Sequence, residues 1–197
     1  MQSKIESIVC MINETLASKL NVAHAKYFGL AEYMQSVLES DVTQKVPGII
    51  SNTGELECCG FDDVDALKCY HRIAQPITYA LDSSQKRGDS RGDDVRTVFV
   101  SLIIMGDRTR LKCKPDYLES AFSTSMPQSL SKIQGESLGI FNCKITKVSS
   151  NLDTYQVFQS EYGIIDPDSH RLMFIELKYK IEYTQRTGCE INCFPNN

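Results

Sequence analysis

The chain has 197 residues, 42% of them hydrophobic and 23% charged, enough for one domain with a real core and no need of staples. Its formal net charge of −4 argues weakly against a general nucleic-acid binder, whose phosphate affinity needs clustered Lys and Arg, and leaves room for a local basic patch. No apolar run approaches the roughly 18 residues of a membrane span. The first twenty residues carry Lys4, Glu6 and Glu14 within the apolar pattern, so no signal-peptide core is expected there, and the chain reads as cytosolic or assembled in a cytosol.

Ile5, Ile8, Val9, Ile12 and Leu16 recur at helical spacing, with Ser3, Glu6, Asn13 and Lys19 on the other side. An amphipathic helix is predicted from near Gln2 to about Leu20. Ala31, Met34, Val37 and Leu38 extend the helical pattern, giving an N-terminal helical segment over 1–40, interrupted by Gly29. His24 reads as a partly buried helix residue.

From Asp41 the character changes. Val46-Pro47-Gly48-Ile49-Ile50 and Glu55-Leu56-Glu57-Cys58-Cys59 flank the turn Ser51-Asn52-Thr53-Gly54 and read as a short hairpin. The acidic loop with Asp62, Asp63 and Asp65 lacks the Gly and terminal Glu of a calcium loop and reads as solvated. Residues 68–81 look like a strand that Pro76 makes an edge or bulged one. Residues 95–105, VRTVFVSLIIM, are the most apolar run and predict a central strand covered on both faces.

Between these two strands, residues 82–94 carry no apolar side chain and form the tip of a long hairpin. Lys86, Arg87, Asp89, Arg91, Asp93 and Asp94 put both signs of charge on this arm and are the candidate subunit-contact residues. Arg87-Gly88-Asp89 and Arg91-Gly92-Asp93 match a receptor-binding tripeptide that is frequent by chance and needs an exported protein. A short helix starts at Pro115 and stops before Pro127. A strand follows within 132–147, then a second short helix over 151–162. In the closing strand, 172–183, Met173, Ile175, Leu177, Tyr179, Ile181 and Tyr183 face one way, and Glu176, Lys178, Lys180 and Glu182 the other. Residues 188–197 form a polar tail.

The expectation is a single α+β domain over 1–197: a mainly antiparallel sheet with a long hairpin, packed against the N-terminal helical segment and one or two short helices. No phosphate loop, nucleophile elbow or dinucleotide fingerprint occurs, and the three histidines, 24, 71 and 170, are far apart in sequence. The tyrosines are spread and suggest no stacking platform. No catalytic, cofactor-binding or metal residue is assigned. The eight cysteines, 10, 58, 59, 69, 113, 143, 189 and 193, read as free, mostly buried thiols, with Cys69 and His71 the nearest to a metal-ligand pair.

The order of parts, with Gly106-Asp107-Arg108-Thr109-Arg110-Leu111 after the central strand and then a helix, resembles the neck and tail-terminator proteins of tailed bacteriophages. The resemblance implies a non-enzymatic virion structural protein, assembled in the host cytoplasm. It implies a homo-oligomeric ring of about six or twelve copies, joining neighbouring neck, tail or portal-proximal rings. It implies no cofactor and no membrane, with DNA passing nearby without specific binding along a mildly acidic wall. The alternatives from the residues are a soluble interaction or adaptor module, or a Cys/His metal protein or enzyme.

Overall fold

The alternation in the closing strand is set by a sheet that flanks it on both sides. In the computed structural model, which describes residues 4–31, 33–39, 42–50, 56–58, 66–81, 93–130, 140–152 and 172–186, that strand is the fourth of six. The chain begins with helix α1 (Lys4–Leu20) and continues through β1 (Ala25–Leu30), β2 (Tyr33–Glu39), β3 (Val42–Ile50) and β4 (Leu56–Cys58). Strands β5 (Leu67–Leu81) and β6 (Asp93–Asp107) follow, then helices α2 (Arg108–Leu111) and α3 (Pro115–Ser125). Strands β7 (Ser129–Leu130), β8 (Ile140–Leu152) and β9 (Leu172–Arg186) complete the order. The fold is mixed α+β.

The main sheet has the order β1-β5-β6-β9-β8-β7, parallel between β1 and β5 and antiparallel elsewhere. A second sheet, β2-β3-β4, lies within the connection from β1 to β5. Its β3–β4 pairing, Gly48↔Cys58 to Ile50↔Leu56, is the short hairpin expected from the turn sequence. Helical spacing over 22–40 does not hold. Those residues supply β1 and β2, because β1 joins the edge of β5 and β2 pairs with β3, and pairing outweighs a weak local pattern.

Helix α1 places Ile5, Ile8, Val9, Ile12 and Leu16 in one core with Leu67, Cys69, Val98, Val100, Leu102 and Ile104. Each such side chain contributes about 1.5–3 kcal/mol on burial. Leu118 and Phe122 of α3 join the same core beside Ile145 and the odd-numbered apolar residues of β9. Asn13, expected on the polar side of α1, is buried in this core instead. On the opposite face of the sheet Tyr70, Ile103, Met105 and Phe174 are buried too, so β6 is covered on both faces along that stretch.

Strands β5 and β6 pair from Leu67↔Gly106 to Leu81↔Asp94, with register shifts between Ile73 and Gln75 and between Gln75 and Thr78. Pro76 falls inside the second shift, where a residue without an N–H breaks the ladder. Strand β1 accompanies β5 only as far as His71. From Arg72 onward the outer edge of β5 has no strand beside it among the described residues. Strand β8 runs to Leu152, so Asn151 and Leu152 are strand rather than the start of a helix; 153–162 lie outside the described residues. A register shift between Lys147 and Ser149 leaves Val148 exposed. No helix among the described residues is long and apolar enough to cross a membrane.

Candidate functional site

Of the six candidate contact residues, Lys86, Arg87, Asp89 and Arg91 lie outside the described residues. Asp93 and Asp94 open β6, opposite Arg186 and Gln185 of β9. The acidic loop with Asp62, Asp63 and Asp65 also lies outside, as do His170, Cys59, Cys189 and Cys193. His24 sits in a left-handed turn, φ 56°, not a helix, and its carbonyl accepts from the Ala66 N–H. Polar side chains gather at several places among the described residues, and three of these hold a buried histidine or carboxylate.

The first lies under α1. Cys69 and His71 are two apart on β5, so both point into the core, and both are fully buried. Burial pushes the Cys69 thiol well up. The His71 ring nitrogens are both engaged: Nδ1 lies 2.6 Å from the Tyr179 hydroxyl and Nε2 lies 2.8 Å from Asn13 Oδ1. The tautomer follows from the partners. An amide oxygen only accepts, so Nε2–H donates to Asn13, and the bare Nδ1 accepts from the Tyr179 O–H. Asn13 Nδ2 in turn donates to the Phe28 carbonyl at 2.8 Å, which fixes the amide orientation. Burial lowers the His71 pKa to about 3 and raises that of Tyr179. The group is a neutral line tying α1 to β1, β5 and β9. It leaves His71 no free nitrogen for a ligand, and among the described residues no three His, Cys, Asp or Glu side chains converge.

The second group is on the opposite face. Glu176 of β9 is buried, with Arg72 Nη2 at 3.2 Å from Oε1, Asn151 Nδ2 at 3.1 Å from Oε2 and Lys178 Nζ at 3.7 Å from Oε2. The register explains it: Tyr70, Ile103, Glu176 and Asn151 lie in one row across the sheet, and Arg72, Ser101 and Lys178 in the next. Burial alone would raise the Glu176 carboxyl. The Arg72 guanidinium and the Lys178 charge outweigh it and hold the carboxyl below its usual range.

The third group is the strap that follows the central strand. Asp107, fully buried, caps α2 by accepting from the Thr109 N–H at 2.8 Å and the Thr109 hydroxyl at 2.6 Å. Its other oxygen lies 3.4 Å from Arg110 Nε. Leu111 packs closely over Gly106, where a Cβ would stand 2.8 Å from Leu111 Cδ1 and push that side chain aside. Lys112, left-handed at φ 49°, closes the turn through its N–H to the Arg108 carbonyl. Leu111 and Cys113 pack against the core, while Arg108, Arg110, Lys112 and Lys114 are exposed.

No protein-family model matches the chain, and no curated protein matches it. The geometry is therefore the basis for a functional reading. Sequence reasoning passed over Asn13 and Tyr179, because one polar residue per element carries no periodic signal. The strap was passed over as well, though it left a signal: Arg108-Thr109-Arg110-Leu111-Lys112-Cys113-Lys114 alternates cations with other residues in an otherwise acidic chain.

Proposed function

We propose that the chain is a non-enzymatic structural subunit that works through contacts with copies of itself, of the ring-forming kind found in the neck or tail of tailed bacteriophages. The observation that carries this reading is the β5–β6 pair. Both strands are 15 residues long, and β5 offers an open outer edge past His71 among the described residues. An open edge is a template for a neighbouring chain, and Pro76 with its register shifts limits which partner fits. Between these two strands the sequence places residues 82–94, which hold Lys86, Arg87 and Arg91 together with Asp89, Asp93 and Asp94. Charge of both signs on one arm suits a heterologous contact repeated around a ring. The polar groups inside the described core also support it, since His71 and Glu176 are each held by partners from other strands or from α1.

Light scattering of the purified 22.2 kDa chain at several concentrations tests the reading. The expected result is a closed species of about six or twelve copies that a chain lacking 83–92 does not form. A wild-type chain that stays monomeric at high concentration, alone and with particle extracts, would remove the ring. Unchanged assembly after the deletion would remove the role of the arm.

A further inference from the structure

We infer that the strap 108–114, with Tyr117 beside it, is a sequence-independent contact for single-stranded nucleic acid. The inference goes beyond the ring reading and does not depend on it. Four cations, Arg108, Arg110, Lys112 and Lys114, stand exposed within seven residues, Arg110 also lying 3.4 Å from the Asp107 carboxylate that precedes the strap, with Asp116 exposed just beyond it. The chain as a whole is net −4, so this is charge segregated against the average composition. Among the described residues no carboxylate pairs with the Lys112 or Lys114 ammonium.

The backbone under these cations is held in place. The Asp107 cap, the Leu111 side chain packed against Gly106 and the Lys112 N–H to Arg108 carbonyl bond fix the strap at one end of β6. The cations then need no ordering of the main chain when an anion arrives. Arginine suits phosphate oxygens through its planar fork, and lysine adds a point charge.

The nature of the partner follows from what the strap does not expose. Leu111 and Cys113 turn to the core, so the ridge lacks the apolar anchors that carry a protein interface. It offers charge alone, except for one ring. Tyr117 is 71% exposed in the first turn of α3, and its N–H bonds the Lys114 carbonyl, which seats it directly after the last cation. An exposed aromatic beside a cationic ridge matches a strand whose phosphates face the cations and whose unpaired bases stack. A duplex would use the charges and not the ring.

The test is fluorescence anisotropy of the full chain with a labelled mixed-sequence DNA 20-mer, single-stranded and as a duplex. The expected result is single-strand binding at low salt that weakens roughly sevenfold to fiftyfold from 50 to 200 mM salt, for two to four neutralised phosphates. Lys112→Glu with Lys114→Glu should weaken both forms at least about tenfold. Tyr117→Ala should weaken the single strand about fivefold or more and leave the duplex within about twofold. All substituted side chains are exposed, and an unchanged thermal unfolding midpoint checks that the variants fold. Absence of binding at low salt, or charge reversal without effect, overturns the inference. So does a charge reversal that alters oligomer mass while DNA affinity stays the same, which would make the strap a protein contact.

Discussion

The two faces of the main sheet bury polar groups in opposite ways. Under α1 the line Asn13–His71–Tyr179 is neutral throughout, and His71 is fully enclosed. On the other face Glu176 keeps its charge, with Arg72 and Lys178 still reaching solvent at 30% and 43% side-chain exposure. The contrast shows what each environment tolerates. A closed apolar core accepts polar atoms only as matched donors and acceptors, because an ion there costs several kcal/mol of desolvation. A half-open face accepts an ion pair, since water still solvates the cations and the carboxylate needs only its near partners.

The largest expected effect is the removal of the neutral line. Asn13→Leu leaves the buried His71 Nε2–H without its acceptor and removes the amide that donates to the Phe28 carbonyl, and should cost about 2–4 kcal/mol in denaturant unfolding. The same line sets an acid response. The folded His71 pKa is depressed to about 3, whereas an unfolded imidazole titrates near 6.5. The unfolded chain therefore binds the extra proton between these values. Stability from the neutral ring is complete above pH 6.5 and falls as pH drops through the window, by up to about 1.4 kcal/mol per unit. His71→Gln should lower stability at pH 7.5 and flatten the curve between pH 6.5 and 4.5; an unchanged slope would mean that His71 does not carry it.

On the charged face the effect is smaller. Glu176→Gln removes the charge but keeps an oxygen and the shape, with an expected loss of about 1 kcal/mol at pH 7 that high salt reduces. Should the loss match that of Asn13→Leu, the contrast between the faces would collapse. The smallest effect belongs to the pair on the outer surface of α3. Lys147 contacts Glu119 and donates to the Ser123 hydroxyl at 2.9 Å, with Lys147 43% exposed. Lys147→Ala should change stability by less than about 0.5–1 kcal/mol, read by thermal unfolding.

How far these regions could be read in advance depends on the length of each pattern. The alternation of β9 runs for twelve residues and leaves no rival, so the strand and its core-facing side chains follow from it, but not the burial of Phe174 and Glu176 on the other face. The α1 stripe is equally clear, except at Asn13, where a polar letter on a helix is read as solvent-facing until His71 is found opposite. Residues 25–39 mislead because a few apolar positions fit a helix as well as a strand; the partner of β1, β5, lies about forty residues on, and that of β2 is β3, which follows it. The Glu176 group was hidden for the same reason: its members come from β5, β8 and β9, and only the sheet register sets them side by side.

The position of β9 has a consequence for how the molecule is made. It is the last of the described strands in sequence, yet it sits between β6 and β8. During synthesis β6, the most apolar segment, emerges long before the strand that covers one of its edges. Over that interval its hydrogen-bonding groups on that side meet water or another nascent chain. Pairings across such separations form slowly, so fragments that stop before 172, with that edge of β6 uncovered, are expected to aggregate more readily than the full chain.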